Sequence, residues 1–136
     1  MAVVLKRAWL WDGIMIKDNH LEAVRLVKGG GLRVNAAIEA VVAFKNRGYK
    51  NVEVEVETLA EFKEALEAGA DIIMLDNMKI EDIKKAVKLK GSRVILEVSG
   101  GISLENVKKI AKTGVDRISI GRLTHSAPSI DFSLEI

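Results

Sequence analysis

Residues able to bind a phosphorylated ligand recur just after short apolar runs in this chain. Lys17-Asp18-Asn19-His20 follows one run, Asp76-Asn77 a second and Ser99-Gly100-Gly101 a third, while Gly121-Arg122 and His125 follow the last. In Ser99-Gly100-Gly101-Ile102-Ser103 the glycines let the backbone approach a ligand closely. A helix predicted to start at Ser103 adds unpaired N–H groups at its positive end. Ser119-Ile120-Gly121-Arg122 forms a second turn of this kind. Either turn alone is explained by a plain reversal of the chain. Two successive late turns of this type are the usual phosphate cradle of barrel enzymes.

Carboxylates supply the other half of the chemistry. Glu53, Glu55 and Glu57 alternate with Val52, Val54 and Val56, so period two puts the acids on one face of a strand and the valines on the other. Two readings follow. In a barrel the valines lie under the helices and the acids point inward, where they need cations or a metal. Alternatively the segment is an edge strand with a solvated face. Lys17 and Asp76, at neighbouring strand ends, favour the inward reading because they bring opposite charge to a shared pocket. Glu55 and Asp76 suit a hard cation such as Mg²⁺, shared with ligand phosphates. The two histidines, His20 and His125, have no metal-ligand spacing, and no zinc site is expected.

The elements that must position these groups read as alternating strands and helices. Residues 13–17, 51–56, 71–75, 93–98 and 117–120 read as strands, mostly as continuous apolar runs of the kind buried in parallel sheets. Helical patterns cover about 35–47, 58–68, 80–89 and 103–114. Asn35 is a candidate cap, Thr58 and Glu61 form a capping-box pattern, and glycines follow the helix ends. Helical crossovers imply parallel neighbours. The expected fold is α/β: parallel βα units of a TIM-like, incomplete barrel with about five strands. A weak repeat links Ala68-Gly69-Ala70-Asp71-Ile72-Ile73 to Thr113-Gly114-Val115-Asp116-Arg117-Ile118. Either one βα unit occurs twice, or a common helix-to-strand turn recurs. Residues 1–11 fit a short strand or an amphipathic helix, and 22–31 contain at least some loop.

Composition narrows the class. The 136 residues fit one domain, and 49% apolar residues with 4% aromatics make an aliphatic core. Charge is plentiful at 29% but balanced to a net +2, which gives no push toward nucleic acid. The lysines at 84, 85, 88 and 90 belong to a solvated helix face. No apolar run reaches membrane-span length, cysteine is absent, and the first residues run apolar then basic, the reverse of a signal peptide. An intracellular, cytoplasmic protein is expected.

Five ordered segments carry a family resemblance. They are Ile14-Met15-Ile16-Lys17-Asp18-Asn19-His20-Leu21, Val52-Glu53-Val54-Glu55-Val56, Ile73-Met74-Leu75-Asp76-Asn77, Leu96-Glu97-Val98-Ser99-Gly100-Gly101-Ile102 and Ile118-Ser119-Ile120-Gly121-Arg122-Leu123-Thr124-His125-Ser126-Ala127. Together they resemble the carboxyl-terminal barrel of the quinolinate phosphoribosyltransferase family (nicotinate-nucleotide pyrophosphorylase, carboxylating). The resemblance implies transfer of a phosphoribosyl group from phosphoribosyl pyrophosphate to quinolinate, with decarboxylation and Mg²⁺, giving nicotinate mononucleotide. It implies that Arg7 and Lys17 bind the quinolinate carboxylates. It gives Glu55 and Asp76 the metal-bound phosphoribosyl group, makes Lys17, Glu55 and Asp76 the catalytic set, and assigns the phosphate to Ser99, Gly100, Gly101 and Gly121, with His125 lining that end.

The family also carries an amino-terminal domain and a barrel strand with an Arg-Lys pair, and nothing in residues 1–136 corresponds to either. The expectation is therefore a single barrel-type domain in truncated, split or engineered form. Its rival reading is a non-catalytic fragment that keeps phosphate binding. Five strands leave two open sheet edges. Those edges predict a homo-oligomer, or rearrangement into an open sheet with helices on both faces.

Overall fold

The computed structural model describes residues 13–17, 33–92 and 94–121. Its strands are β1 (Met15–Ile16), β2 (Glu53–Val56), β3 (Ile72–Asp76), β4 (Ile95–Ser99) and β5 (Arg117–Ile118). Its helices are α1 (Arg33–Asn46), α2 (Leu59–Glu67), α3 (Ile80–Lys90) and α4 (Val107–Ala111). All five strands are parallel and lie in the order β1-β2-β3-β4-β5.

That order decides between the two architectures. A sheet with helices on both faces needs the strand order to reverse, whereas strictly sequential order with right-handed crossovers keeps every helix on one face. The fold is a contiguous section of a parallel α/β barrel, and the rearranged open sheet is overturned.

Register sorts the side chains onto two faces. Ile16, Val54, Ile73 and Leu96 stand side by side, as do Val56, Leu75, Val98 and Ile118. This face packs against Val41 of α1, Phe62 and Ala65 of α2, Ile83 and Ala86 of α3 and Ile110 of α4, which together form one core. It is almost wholly aliphatic, with Phe62 its single buried ring among the described residues. The opposite face carries Met15, Glu53, Ile72 and Ile95 in one row and Glu55, Met74, Glu97 and Arg117 in the next. It is the concave side of a barrel section.

The glutamates of β2 therefore point away from the helices while the valines pack beneath them. The edge-strand alternative fails, because β2 lies between β1 and β3 and Glu53 is only 1% exposed. The three acids that look equivalent in sequence are graded: Glu53 is buried, Glu55 is half-buried, and Glu57, past the end of β2, is exposed.

Local chemistry explains the element boundaries. The capping box at Thr58 forms in full: its Oγ1 accepts from the Glu61 N–H at 3.2 Å, and Glu61 Oε2 accepts from the Thr58 N–H at 3.2 Å. β2 starts at Glu53 instead of residue 51 because Asn51 has φ +58°. The Asn51 carbonyl also lies 2.6 Å from where a Cβ on Gly13 would sit, so position 13 has no room for one. α1 begins at Arg33, which puts Asn35 inside the helix and not at its cap. Helix propensity is a weak prior there. The last helix departs most from expectation, covering only Val107–Ala111 of the expected 103–114. Asn106 accepts from the Ser103 N–H at 2.8 Å and donates to the Gly101 carbonyl at 2.8 Å, while Ser103 Oγ accepts from the Glu105 N–H at 3.3 Å. Local side-chain bonds of this kind compete with helix formation.

The weak repeat has a structural counterpart. Asp71, entering β3, accepts from Lys45 Nζ and the Val52 N–H at 2.8 and 2.9 Å. Asp116, entering β5, accepts from Lys90 Nζ and the Leu96 N–H at 2.5 and 2.7 Å. Each lysine closes a helix and lies 26 residues before its aspartate. Gly69 and Gly114 both take positive φ. A common turn explains the glycines, but it does not require the same lysine clamp at the same separation. The repeated βα unit is the better account. Both clamps sit at the amino-terminal ends of strands, the end where barrel residues serve stability.

Candidate functional site

Groups expected to act together converge at the carboxyl ends of β1 to β4. Lys17, just past β1, and Glu55 of β2 share the concave face, with Lys17 Nζ 3.9 Å from Glu55 Oε2. Glu55 stands beside Met74 in register, so Asp76 is its diagonal neighbour one step further up the same face. Asp76 in turn stands beside Ser99 of β4. Lys17, Glu55, Asp76 and Ser99 thus form a staircase rising across four adjacent strands.

A second charged group flanks it. Arg117 Nη1 lies 3.9 Å from Glu97 Oε2, and Ser119 Oγ donates to Glu97 Oε1 at 2.5 Å. Met74 separates this cluster from the Lys17–Glu55 pair. The floor therefore carries an acid on each side of a methionine, each held by one cation. Cross-strand register predicts the Glu97–Arg117 pairing, but it is invisible without knowing which strands are neighbours.

The glycine turn is more constrained than sequence suggested. Gly100 has φ +81° and Gly101 φ +58°, both in the region L side chains avoid. A Cβ on Gly100 would lie 2.8 Å from Asn77 Nδ2 and closer still to Asn77 Oδ1. Position 100 favours glycine for its conformation before any ligand is considered, and a Cβ there would also require the Asn77 side chain to shift. The expected helix-end donors are a correction as well. The regular helix covers only Val107–Ala111, with the Val107 N–H donating back to the Ser103 carbonyl, and the Ser103 and Glu105 N–H groups are already taken by the Asn106 and Ser103 side chains. At Gly121 neither constraint applies: φ is not positive, and a Cβ would meet nothing within 4 Å among the described residues.

A cleft of about 280 Å³ opens between the β3 and β4 ends, walled by Asn77 to Ile80, Val98 to Ile102, Asn106 and Ile110. It takes in Ser99, Gly100 and Gly101 but not Lys17, Glu55 or Asp76, which lie on the concave face. Ser99 and Asn77 stand where the two regions meet. Among the described residues no three His, Cys, Asp or Glu side chains cluster as a protein-only metal cage. Glu55 and Asp76 are the carboxylates at this end of the face that could hold a cation shared with phosphate oxygens. Arg7 and His125 lie outside the described residues.

The geometry, with carboxylates and a glycine turn at the strand ends of a barrel section, agrees with the comparisons. Residues 3–135 match the family model for the quinolinate phosphoribosyl transferase C-terminal domain. The chain belongs to this family. It is similar to the probable nicotinate-nucleotide pyrophosphorylase [carboxylating] of Bacillus subtilis, 40% identical over 96% of this chain and 42% of that one. It is likewise similar to the protein of that name from Methanocaldococcus jannaschii, 45% identical over 92% of this chain and 44% of that one. The solved structure of NadC from Streptococcus pyogenes superposes with a TM-score of 0.72 at 43% identity, over 96% of this chain and 43% of that one. The chain thus spans less than half the length of the curated relatives it matches.

Proposed function

We propose that this chain carries the phosphoribosyl half of an active site that joins quinolinate to phosphoribosyl pyrophosphate with loss of carbon dioxide, giving nicotinate mononucleotide and pyrophosphate. One observation carries the reading: the Lys17–Glu55–Asp76–Ser99 staircase that ends at the Gly100–Gly101 turn.

The chemistry is electrostatic. As the sugar–pyrophosphate bond loosens, positive charge develops on the sugar ring, and fixed carboxylates on one side of it stabilise that charge. Glu55 and Asp76 take this role. Lys17 binds a quinolinate carboxylate and keeps Glu55 oriented. Ser99 and the Gly100–Gly101 backbone receive a phosphate, because close-approaching amides and a hydroxyl match its oxygens. Gly121 and His125 complete that end, and Arg7 binds the second quinolinate carboxylate. Mg²⁺, held by Asp76 and Glu55 together with phosphate oxygens, would neutralise the charge of the leaving pyrophosphate.

In this reading residues 1–136 are one barrel-type domain of a cytoplasmic enzyme whose ligands are small phosphorylated molecules and not nucleic acid. Among the described residues no helix is long and apolar enough to cross a membrane. The sheet of the described residues ends at β1 and β5, and pairing along these edges makes the protein a homo-oligomer.

The test is pyrophosphate release from phosphoribosyl pyrophosphate with quinolinate and Mg²⁺. Asp76→Asn and Glu55→Gln should each slow it by about 100-fold or more. Turnover unchanged by both substitutions would place the chemistry elsewhere. Phosphate binding without turnover would favour a non-catalytic, phosphate-binding fragment.

A further inference from the structure

We propose that Asn77 is the positioning residue of this site, fixing the Asp76 carboxylate and the Gly100–Gly101 turn to one another. The inference rests on the phosphoribosyl reading only for what the two groups bind; their coupling stands on geometry alone.

Asn77 is exposed, so core packing does not account for it. It holds φ +50°, a conformation costly for most L residues and least so for Asn, Asp and Gly. Three contacts hold it there. Its N–H donates to the Ser99 carbonyl at 3.1 Å, tying the end of β3 to the end of β4. Its Nδ2 donates to Asp76 Oδ2 at 2.9 Å, which fixes the carboxylate's rotation and leaves Oδ1 as the second acceptor. Its side-chain amide fills the space a Cβ on Gly100 would need. A glycine at 77 would serve the turn equally well but would supply neither the donor nor the filling group. The strained asparagine thus links the carboxylate on the concave face to the turn that borders the cleft. Motion of one is passed to the other, so the spacing between cation and phosphate subsites is set before ligand arrives.

Two substitutions and their combination test the coupling in the chain by itself. Gly100→Ala should lower the melting temperature by roughly 5 °C or more, through collision with Asn77 added to backbone strain. In an Asn77→Gly background the same change should cost clearly less, because only the strain remains. By NMR, the Asn77 side-chain amide protons should shift and exchange faster on Asp76→Ala. Additive melting shifts together with an unmoved Asn77 amide would overturn the proposal. The functional arm is calorimetric titration with Mg²⁺-pyrophosphate, where Asn77→Gly should weaken binding by about tenfold while the chain stays folded. Wild-type affinity in that variant would also overturn it. If neither protein binds Mg²⁺-pyrophosphate but the coupling is present, the phosphoribosyl reading fails and the positioning role of Asn77 stands.

Discussion

Single side chains show how far identical letters diverge once folded. Glu64 of α2 has an Oε2 that is buried without a hydrogen-bond partner among the described residues. Burial pushes its carboxyl above the ordinary range, and the neighbouring charges of Glu61 and Glu67 push the same way. A carboxyl raised on folding favours the folded state below its unfolded pKa and loses that contribution as pH rises through the folded value. Glu64→Gln should therefore raise the melting temperature slightly at pH 7, within about 2 °C. The gain should fade as the wild type is taken below about pH 4. A pH-independent difference would contradict this. Asp116 has the opposite sign. Burial alone would raise it, but the hydrogen bond from Lys90, the Leu96 N–H and the charges of Lys90 and Arg117 together hold it below the usual value. Its contribution is present above the unfolded pKa and is lost as pH falls through the folded one.

At the scale of elements, the two aspartate clamps differ in exposure, and that difference ranks them. Lys90 is 13% exposed, whereas Lys45 is 36% exposed against an equally exposed Asp71. Lys90→Met, which keeps the aliphatic stem, should cost about 1 kcal/mol once the partial exposure of Asp116 is allowed for. Lys45→Met should cost about half of that or less. Urea unfolding of the two variants measures the order, and a reversed order would mean that the clamps are not doing equivalent jobs. The strands were legible because buried parallel strands leave continuous apolar runs. α2 was legible because Thr58 and Glu61 announce their own hydrogen bonds. The short α4 was not, since nothing local reveals that the Asn106 side chain will bond back to Ser103 and Gly101. Gly100 stands out in the sequence as a residue that lets a ligand approach, and the structure adds a conformational reason for a glycine there, its φ of +81°. A ligand-facing glycine and one that makes room for Asn77 look alike until β3 and β4 are known to be neighbours.

At the scale of the molecule, sequential parallel order makes the described residues a barrel section with their helices on one side and a charged floor on the other. That floor carries Glu55 and Glu97, each beside a cation, on either side of Met74, with a third acid, Glu53, buried in the row below. Ancestry was visible in the sequence because five ordered strand-end segments carry the resemblance, and residues 3–135 match the family model. The division of the site between a concave face and a separate cleft was not, because it depends on which way each strand end turns. The edges at β1 and β5 predict self-association, and light scattering that gives a clean monomer at high concentration would argue against it.

The central claim is that the ends of β1 to β4 form a phosphoribosyl site. Amide chemical-shift mapping during titration with phosphoribosyl pyrophosphate and Mg²⁺ tests it most directly, because it requires no turnover. The largest shifts should fall at Asp76, Asn77, Ser99, Gly100 and Gly101, and should be lost with Asp76→Asn. Saturating ligand that moves none of these amides, or that moves instead the amino-terminal strand ends around Asp71 and Asp116, would contradict the account.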